Sequence, residues 1–293
     1  MRELFVKALK EKMIVNNNIF LLTGDLGYGL FNDIEKEVPN QYYNIGVAEQ
    51  NMINISTGLA LTGMKTFCYS IANFSFMRGL EQIRNGPIYH GLDTCIVSSG
   101  GGFSYGQLGY THFAIEDYGI LSTFKKLNIY TPGTVFDLEK SLKEIFKNTQ
   151  TSYLRLEKKP IFNKPIKSYN GYNQYFKGNK IAIISVGCVI EEAIKINNFL
   201  KKSVSIYSLY KLQNKILNKL LNIIQHYEKI IVIEEHVKEN SVYEKLCAIY
   251  DHNKIIGINI NNGWPKIVGD QNYLRKLYRL DSYSILKIIK KYL

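Results

Sequence analysis

Glu49 is the side chain of this sequence best placed to do chemistry. It lies in Ile45-Gly46-Val47-Ala48-Glu49-Gln50-Asn51, just past a glycine turn and at the head of an apolar helical stretch. Such a position half-buries a carboxylic acid and aims it at a ligand. Alone, an acid in a first helical turn is explained by the helix dipole. Three further segments argue for more. Gly24-Asp25-Leu26-Gly27-Tyr28-Gly29 follows the first apolar run. Phe74-Ser75-Phe76 leads into a helix containing Glu81. Gly109-Tyr110-Thr111-His112-Phe113-Ala114-Ile115-Glu116-Asp117 follows a strand and a glycine-rich loop. All four fall just beyond the carboxyl ends of predicted parallel strands, where open α/β sheets place their ligands. Singly, Asp25 reads as a turn or cap residue, His112 as structural, and Phe74 and Phe76 equally well as core. The Gly100-Gly101-Gly102 run reads equally as a phosphate cradle or as a flexible loop. No Walker-type loop, GxGxxG after a strand or HExxH is present.

The elements that must position these residues alternate strand and helix. Leu4 to Met13, Glu49 to Leu61 and Phe136 to Phe146 have helical spacing. Ile19 to Leu22, Lys65 to Tyr69, Thr94 to Ser98, Asn128 to Tyr130 and Ser152 to Leu156 read as buried parallel strands. Lys158 to Asn179 carries Pro160, Pro165, several asparagines and Gly171 without apolar periodicity, the mark of a linker. A second α/β unit follows. Its strands are Ile181 to Val186, Val204 to Tyr207, Ile230 to Ile233 and Ile255 to Ile260. Val189 to Leu200 is a helix, and Asp281 or Ser282 caps the last one. The expectation is two doubly wound, mostly parallel α/β domains, 1–157 and 180–293, joined by a linker at 158–179.

Length and composition fit two globular domains: 293 residues, 46% hydrophobic and 21% charged. The charged N-terminus does not read as a signal peptide, and no apolar run is long enough to span a membrane, so a cytoplasmic protein is expected. Cys68, Cys95, Cys188 and Cys247 are far apart and read as buried free thiols rather than a metal site or disulfide framework. The net charge of +12 raises nucleic-acid binding. However, the lysines are spread along the chain, and Lys287, Lys290 and Lys291 read as the solvated face of a final helix. Attraction of phosphorylated metabolites is the better use of the charge.

The order GDLG, GVAEQN, THxAxED resembles the pyrimidine-binding domain of the transketolase family, which includes 1-deoxyxylulose-5-phosphate synthases. The second unit is similar to that family's C-terminal domain, with Val232-Ile233-Glu234-Glu235-His236 matching its strand-end EEH. The resemblance implies thiamine diphosphate as cofactor. It gives Glu49 the catalytic task of hydrogen-bonding N1′ of the aminopyrimidine, which favours the imino tautomer that takes the thiazolium C2 proton. A glutamate does this best when it shares a proton, and partial burial favours that. The resemblance also makes His112 an active-site residue for sugar hydroxyls or intermediate charge. It places Asp25 near the cofactor at a subunit interface and an aromatic, Phe74 or Phe76, on the pyrimidine ring. Arg2 and Arg155 match arginines that hold a substrate phosphate, a task suited to the guanidinium fork.

Two positions depart from common transketolases: Leu108 stands for an aspartate that reads a substrate hydroxyl, and Gly100 for a histidine that meets the sugar. The GGLG that usually follows EEH is absent as well. The largest departure is that the GDG-and-asparagine motif for the diphosphate and its metal is missing, with only about 20 residues ahead of the first pyrimidine-domain motif. The implied protein is the C-terminal subunit of a split transketolase that moves a two-carbon ketol unit from a ketose to an aldose. A partner subunit would hold the diphosphate and Mg2+ or Ca2+, in an α2β2 assembly with the cofactor across the interface. The alternatives are a subunit of a deoxyxylulose-phosphate-synthase-like or 2-oxo-acid-decarboxylating enzyme, and a non-catalytic module that kept the fold.

Overall fold

The computed structural model describes residues 1–197, 199–200, 203–261 and 266–293. Six parallel strands form the first sheet: β1 (Ile19–Thr23), β2 (Tyr42–Asn44), β3 (Lys65–Ile71), β4 (Thr94–Ser99), β5 (Asn128–Tyr130) and β6 (Ser152–Leu156). Their order is β2-β1-β3-β4-β6-β5. The chain runs outward from β1 to β2, then crosses back to β3 on the other side of β1. That reversal opens a crevice at the carboxyl ends of β1 and β3. The helix Glu49–Leu61 makes the crossing and buries Met52, Ile53, Ser56 and Ala60 against the sheet.

The second sheet contains β7 (Lys167–Ser168), β8 (Tyr172–Phe176), β9 (Ile181–Val186), β10 (Val204–Leu209), β11 (Lys229–Val237) and β12 (Ile255–Ile260), in the order β12-β11-β9-β10-β8-β7. Its centre is parallel, while β8 runs antiparallel to β10 and β7 antiparallel to β8. These two strands lie inside the expected linker, which is a correction to that reading. Tyr172 to Tyr175 are buried although Asn173 and Gln174 are polar. Asn173 donates to the buried Asp137 carboxylate at 2.6 Å, and Tyr175 donates to it at 3.1 Å. A strand whose inward residues bond a partner from the other unit carries no apolar alternation. The helix expected over Val189 to Leu200 is seen at Ile190–Asn197, and Asn198 falls outside the described residues. Asp281 caps the last helix, accepting from the Tyr283 and Ser284 amides.

The two units are joined by the strand-end Glu234-Glu235-His236. Glu234 accepts from the Val242 and Tyr243 amides at 2.9 and 3.0 Å, capping a helix, and from Tyr118 Oη of the first unit at 2.7 Å. Glu235 pairs with the buried Arg275 and accepts from the Phe103 amide at 3.1 Å. His236 stacks on Tyr118, with centroids 3.9 Å apart. Its Nε2 accepts from the Gly119 amide at 3.1 Å, and its Nδ1–H donates to the Val237 carbonyl at 2.7 Å. The Nε2 bond requires the neutral imidazole, and the Nδ1 bond fixes its tautomer. Burial, against the opposing pull of Asp117 and Glu234, holds the His236 pKa below its ordinary value. A depressed histidine pKa gives stability that is fully present above the unfolded value of about 6.5 and lost as pH falls through the folded one. The expected result is a thermal midpoint that drops as pH falls below about 6. His236→Gln should remove that part of the pH dependence in a calorimetric series, and an unchanged series would refute the assignment.

Candidate active site

The crevice at β1 and β3 is built around Glu49. Gly46 has φ +75°, so the chain can turn sharply after β2 and start the helix with Glu49 pointing back over the sheet. The carboxylate is only 3% exposed. Its Oε1 lies 3.4 Å from Ser70 Oγ of β3. Gly24, just past β1, comes close to both: a Cβ there would stand 3.3 Å from Ser70 Oγ, a tight contact, and 3.7 Å from Glu49 Oε1.

Asn44 ties the two loops that flank this site. Its Oδ1 accepts from the Asp25 and Gly46 amides, both at 3.0 Å, and its amide donates to Asp25 at 2.9 Å. Asp25 sits in the left-handed region, φ +55°, a conformation this clasp stabilises. Tyr28 adds a hydroxyl to the same carboxylate at 3.0 Å. Asp25 therefore borders the site through Gly24 and is engaged with its own loop.

After β3 the chain forms a π-helical turn, Phe74–Arg78. It separates the two aromatics. Phe74 faces the crevice, its ring centroid 5.0 Å from that of His112 in edge contact. Phe76 is fully buried and packs edge-on against Tyr153 in the core. The structure thus does not bring Phe76 to the site. Arg78, which the sequence pattern did not single out, donates through Nη1 to both Glu49 oxygens at 3.1 and 3.0 Å and lies over the Phe74 ring at 3.8 Å. A basic residue two positions after an aromatic pair reads as solvated surface, so no sequence signal marked it. Asn73 donates to the Thr111 carbonyl at 2.8 Å, locking the turn to the His112 segment. Burial, then the charge of Arg78, lowers the His112 pKa. Its ring is available in the neutral form as a hydrogen-bond partner, with Nδ1 3.0 Å from Thr111 Oγ1.

Arg155 is not at the site. It is 1% exposed, with Nε 3.5 Å from Asp117 and 3.8 Å from Glu157, and Nη2 donates to the Ala114 and Glu235 carbonyls. The glycine triplet exists to admit it. A Cβ on Gly101 would collide with the Arg155 side chain and one on Gly102 with Glu235. Gly100, φ +84°, has Tyr105 packed against it, where any larger residue would clash. The triplet is therefore a packing device between the two units, not a phosphate cradle or a loose loop. Basic residues that do face a hollow include Arg2, Lys158 and Lys159, which line one together with Tyr105, Asp270 and the 57% exposed Leu108; the Lys158 Nζ lies 4.4 Å from the Tyr105 ring centroid.

A carboxylate held back from water, and an aromatic face that one planar guanidinium spans together with it, suit a flat, nitrogen-rich ring with an N–H or ring nitrogen to pair. The aminopyrimidine of thiamine diphosphate has that shape and chemistry. The buried Asn73 Oδ1, without a hydrogen-bond partner beside Phe74, leaves one further acceptor. Glu49, Phe74 and Asn73 are the residues that would hold it. Among the described residues no cluster of three or more His, Cys, Asp or Glu side chains could bind a metal ion, and no helix is long and apolar enough to cross a membrane.

Fold and site together define an α/β protein whose candidate site lies at the carboxyl edge of a parallel sheet, around a buried glutamate. The chain belongs to the transketolase family: the family described as "Transketolase, pyrimidine binding domain" matches residues 1–162. An apulose-4-phosphate transketolase subunit of Actinobacillus succinogenes is 26% identical over 264 residues, which cover 86% of this chain and 85% of that protein. The putative transketolase C-terminal section of Methanocaldococcus jannaschii is 26% identical over 309 residues, covering 99% and 95%. Among solved structures, a split gene transketolase described as an inactive beta4 tetramer superposes with a TM-score of 0.83 at 22% identity, covering 100% of this chain and 97% of that one. Both expected parallel-sheet domains agree with that fold.

Proposed function

We propose that this chain is the pyrimidine-pocket subunit of a split thiamine-diphosphate-dependent transketolase, transferring a two-carbon ketol unit from a phosphorylated ketose to an aldose. The observation that carries the reading is the Glu49 carboxylate, buried beside Ser70 and joined through Arg78 to the Phe74 ring, which itself meets His112. Relatives named as one subunit of a transketolase and as a transketolase C-terminal section support a division of the enzyme between two chains. The partner subunit would hold the diphosphate and its Mg2+ or Ca2+, in an α2β2 assembly with the cofactor at the interface.

When bound, thiamine diphosphate supplies the nucleophilic carbon and the electron sink. Glu49 holds the proton shared with the ring nitrogen. Phe74 fixes the plane of the ring. His112, neutral near pH 7, binds substrate hydroxyls and moves protons to and from them. Arg2 and Lys158, rather than Arg155, supply positive charge for a substrate phosphate in the hollow beside Leu108. An apolar Leu108 there favours an acceptor without a hydroxyl at that point.

The test is reconstitution. The tagged chain, purified with its partner and identified by mass spectrometry, is assayed with thiamine diphosphate, Mg2+ and a panel of donors. Turnover of phosphorylated ketoses by the complex, and none by the chain alone, is the expected result. Release of CO2 from pyruvate would overturn the transketolase assignment, and a complex with no turnover of any donor would favour a non-catalytic module.

A further inference from the structure

Arg78 makes both contacts that an aminopyrimidine would need in this crevice. Its guanidinium lies 3.8 Å from the Phe74 centroid, and its Nη1 donates to both oxygens of Glu49. A guanidinium and an aminopyrimidine are alike in the relevant respects: flat, with N–H donors in the plane. One aromatic face and one carboxylate cannot serve both at once. The pair is also asymmetric. The Glu49 side chain is 3% exposed and cannot follow a departing partner, whereas the Arg78 side chain is 44% exposed and reaches in from solvent on a flexible stem. The turn that carries Arg78 is anchored underneath, because Ser75 bonds the Ala72 carbonyl at 3.0 Å and also pairs with Ser98 of β4. The backbone can therefore stay in place while the guanidinium swings out. π-helical turns recur at such functional positions.

We propose that Arg78 is a self-ligand of the pyrimidine pocket, a guanidinium plug that the aminopyrimidine of thiamine diphosphate must displace before Glu49 can act. The proposal rests on the pyrimidine-pocket reading above and adds a regulation to it. The subunit guards its own glutamate until the cofactor arrives, and its apparent affinity for the cofactor is lowered by the fraction of molecules that are plugged. A half-exposed ion pair of this kind shifts an equilibrium by roughly 2–10-fold.

The test uses the full chain and thiamine diphosphate with Mg2+, with and without the partner subunit. Arginine Nε–Hε signals are followed by 15N NMR and dissociation constants by calorimetry. The signal missing from Arg78→Gln should move toward the position of free arginine as the ligand binds, and Arg78→Gln should bind about 2–10-fold more tightly than the native chain. Arg78→Lys retains the charge without the planar fork and should fall between the two. An Arg78 signal that stays fixed while the ligand binds, or weaker binding by Arg78→Gln, would overturn the plug and make Arg78 a cofactor ligand instead. Failure of the underlying reading looks different: neither the native chain nor Arg78→Gln would bind thiamine diphosphate, alone or with the partner, and the plug would fall with it.

Discussion

Glu49→Gln is expected to lower kcat of the reconstituted complex by about 10²–10⁴-fold, the range attached to loss of a positioned acid–base group. Glutamine has nearly the same shape and still fits beside Ser70 and Gly24. It can offer a hydrogen bond to the ring nitrogen but cannot share and return a proton. The fold should tolerate the change. The ion pair lost is that with Arg78, whose side chain is 44% exposed, and partly exposed pairs contribute about 1 kcal/mol or less. Steady-state kinetics and a thermal melt on the same preparation separate the effects, with kcat expected to collapse while the midpoint stays within a few degrees. Undiminished turnover would remove Glu49 from the chemistry and, with it, the case for a transketolase site. A fall in kcat with the midpoint would mean that the carboxylate serves packing first.

The fold was legible in the sequence where burial is continuous. Parallel strands covered on both faces read as apolar runs, and Asn128–Tyr130, Ser152–Leu156, Ile181–Val186 and Ile255–Ile260 stand where those runs place them. The Glu49 helix was legible for a related reason, since the glycine turn and the apolar face mark its start. The strand Tyr172–Phe176 was hidden because its inward groups are polar and satisfied by Asp137. No local pattern reports a partner that far away in the chain. The site divides in the same way. Glu49, Asp25, Phe74 and His112 gather at one sheet edge because each follows a strand, and strand ends are readable. Phe74 and Phe76 could not be told apart, since a π-helical turn, rather than alternation, decides which ring faces out. Arg78 was missed and Arg155 misplaced for a single reason. The sequence shows that a guanidinium is present but not which carboxylates surround it.

Arg155 is where that difference has the largest consequence. Arg155→Leu should destabilise the protein by about 3–5 kcal/mol, the cost of leaving buried charges without their partner. Asp117 and Glu157 lie 3.5 and 3.8 Å from its Nε, and the Ala114 and Glu235 carbonyls lose a donor. Leucine also leaves space beneath Gly101, which the arginine side chain now fills. Since Glu235 and Glu157 belong to one buried network with Arg275, the damage falls on the junction between the two units. At this chain length the loss corresponds to a midpoint roughly 8–15 °C lower. A phosphate-binding arginine would behave in the opposite way: its removal would raise KM for phosphorylated substrates and leave the melt unchanged. Lys158→Ala is the control, because Lys158 lines the basic hollow with Arg2 and its ammonium rests against the Tyr105 ring. It should raise KM by about 10-fold, roughly one charge-assisted bond, with no loss of midpoint. If instead Arg155→Leu melts like the native protein and loses affinity for phosphate, the buried network is not what holds the units together, and the arginine must reach the substrate by a conformation other than this one.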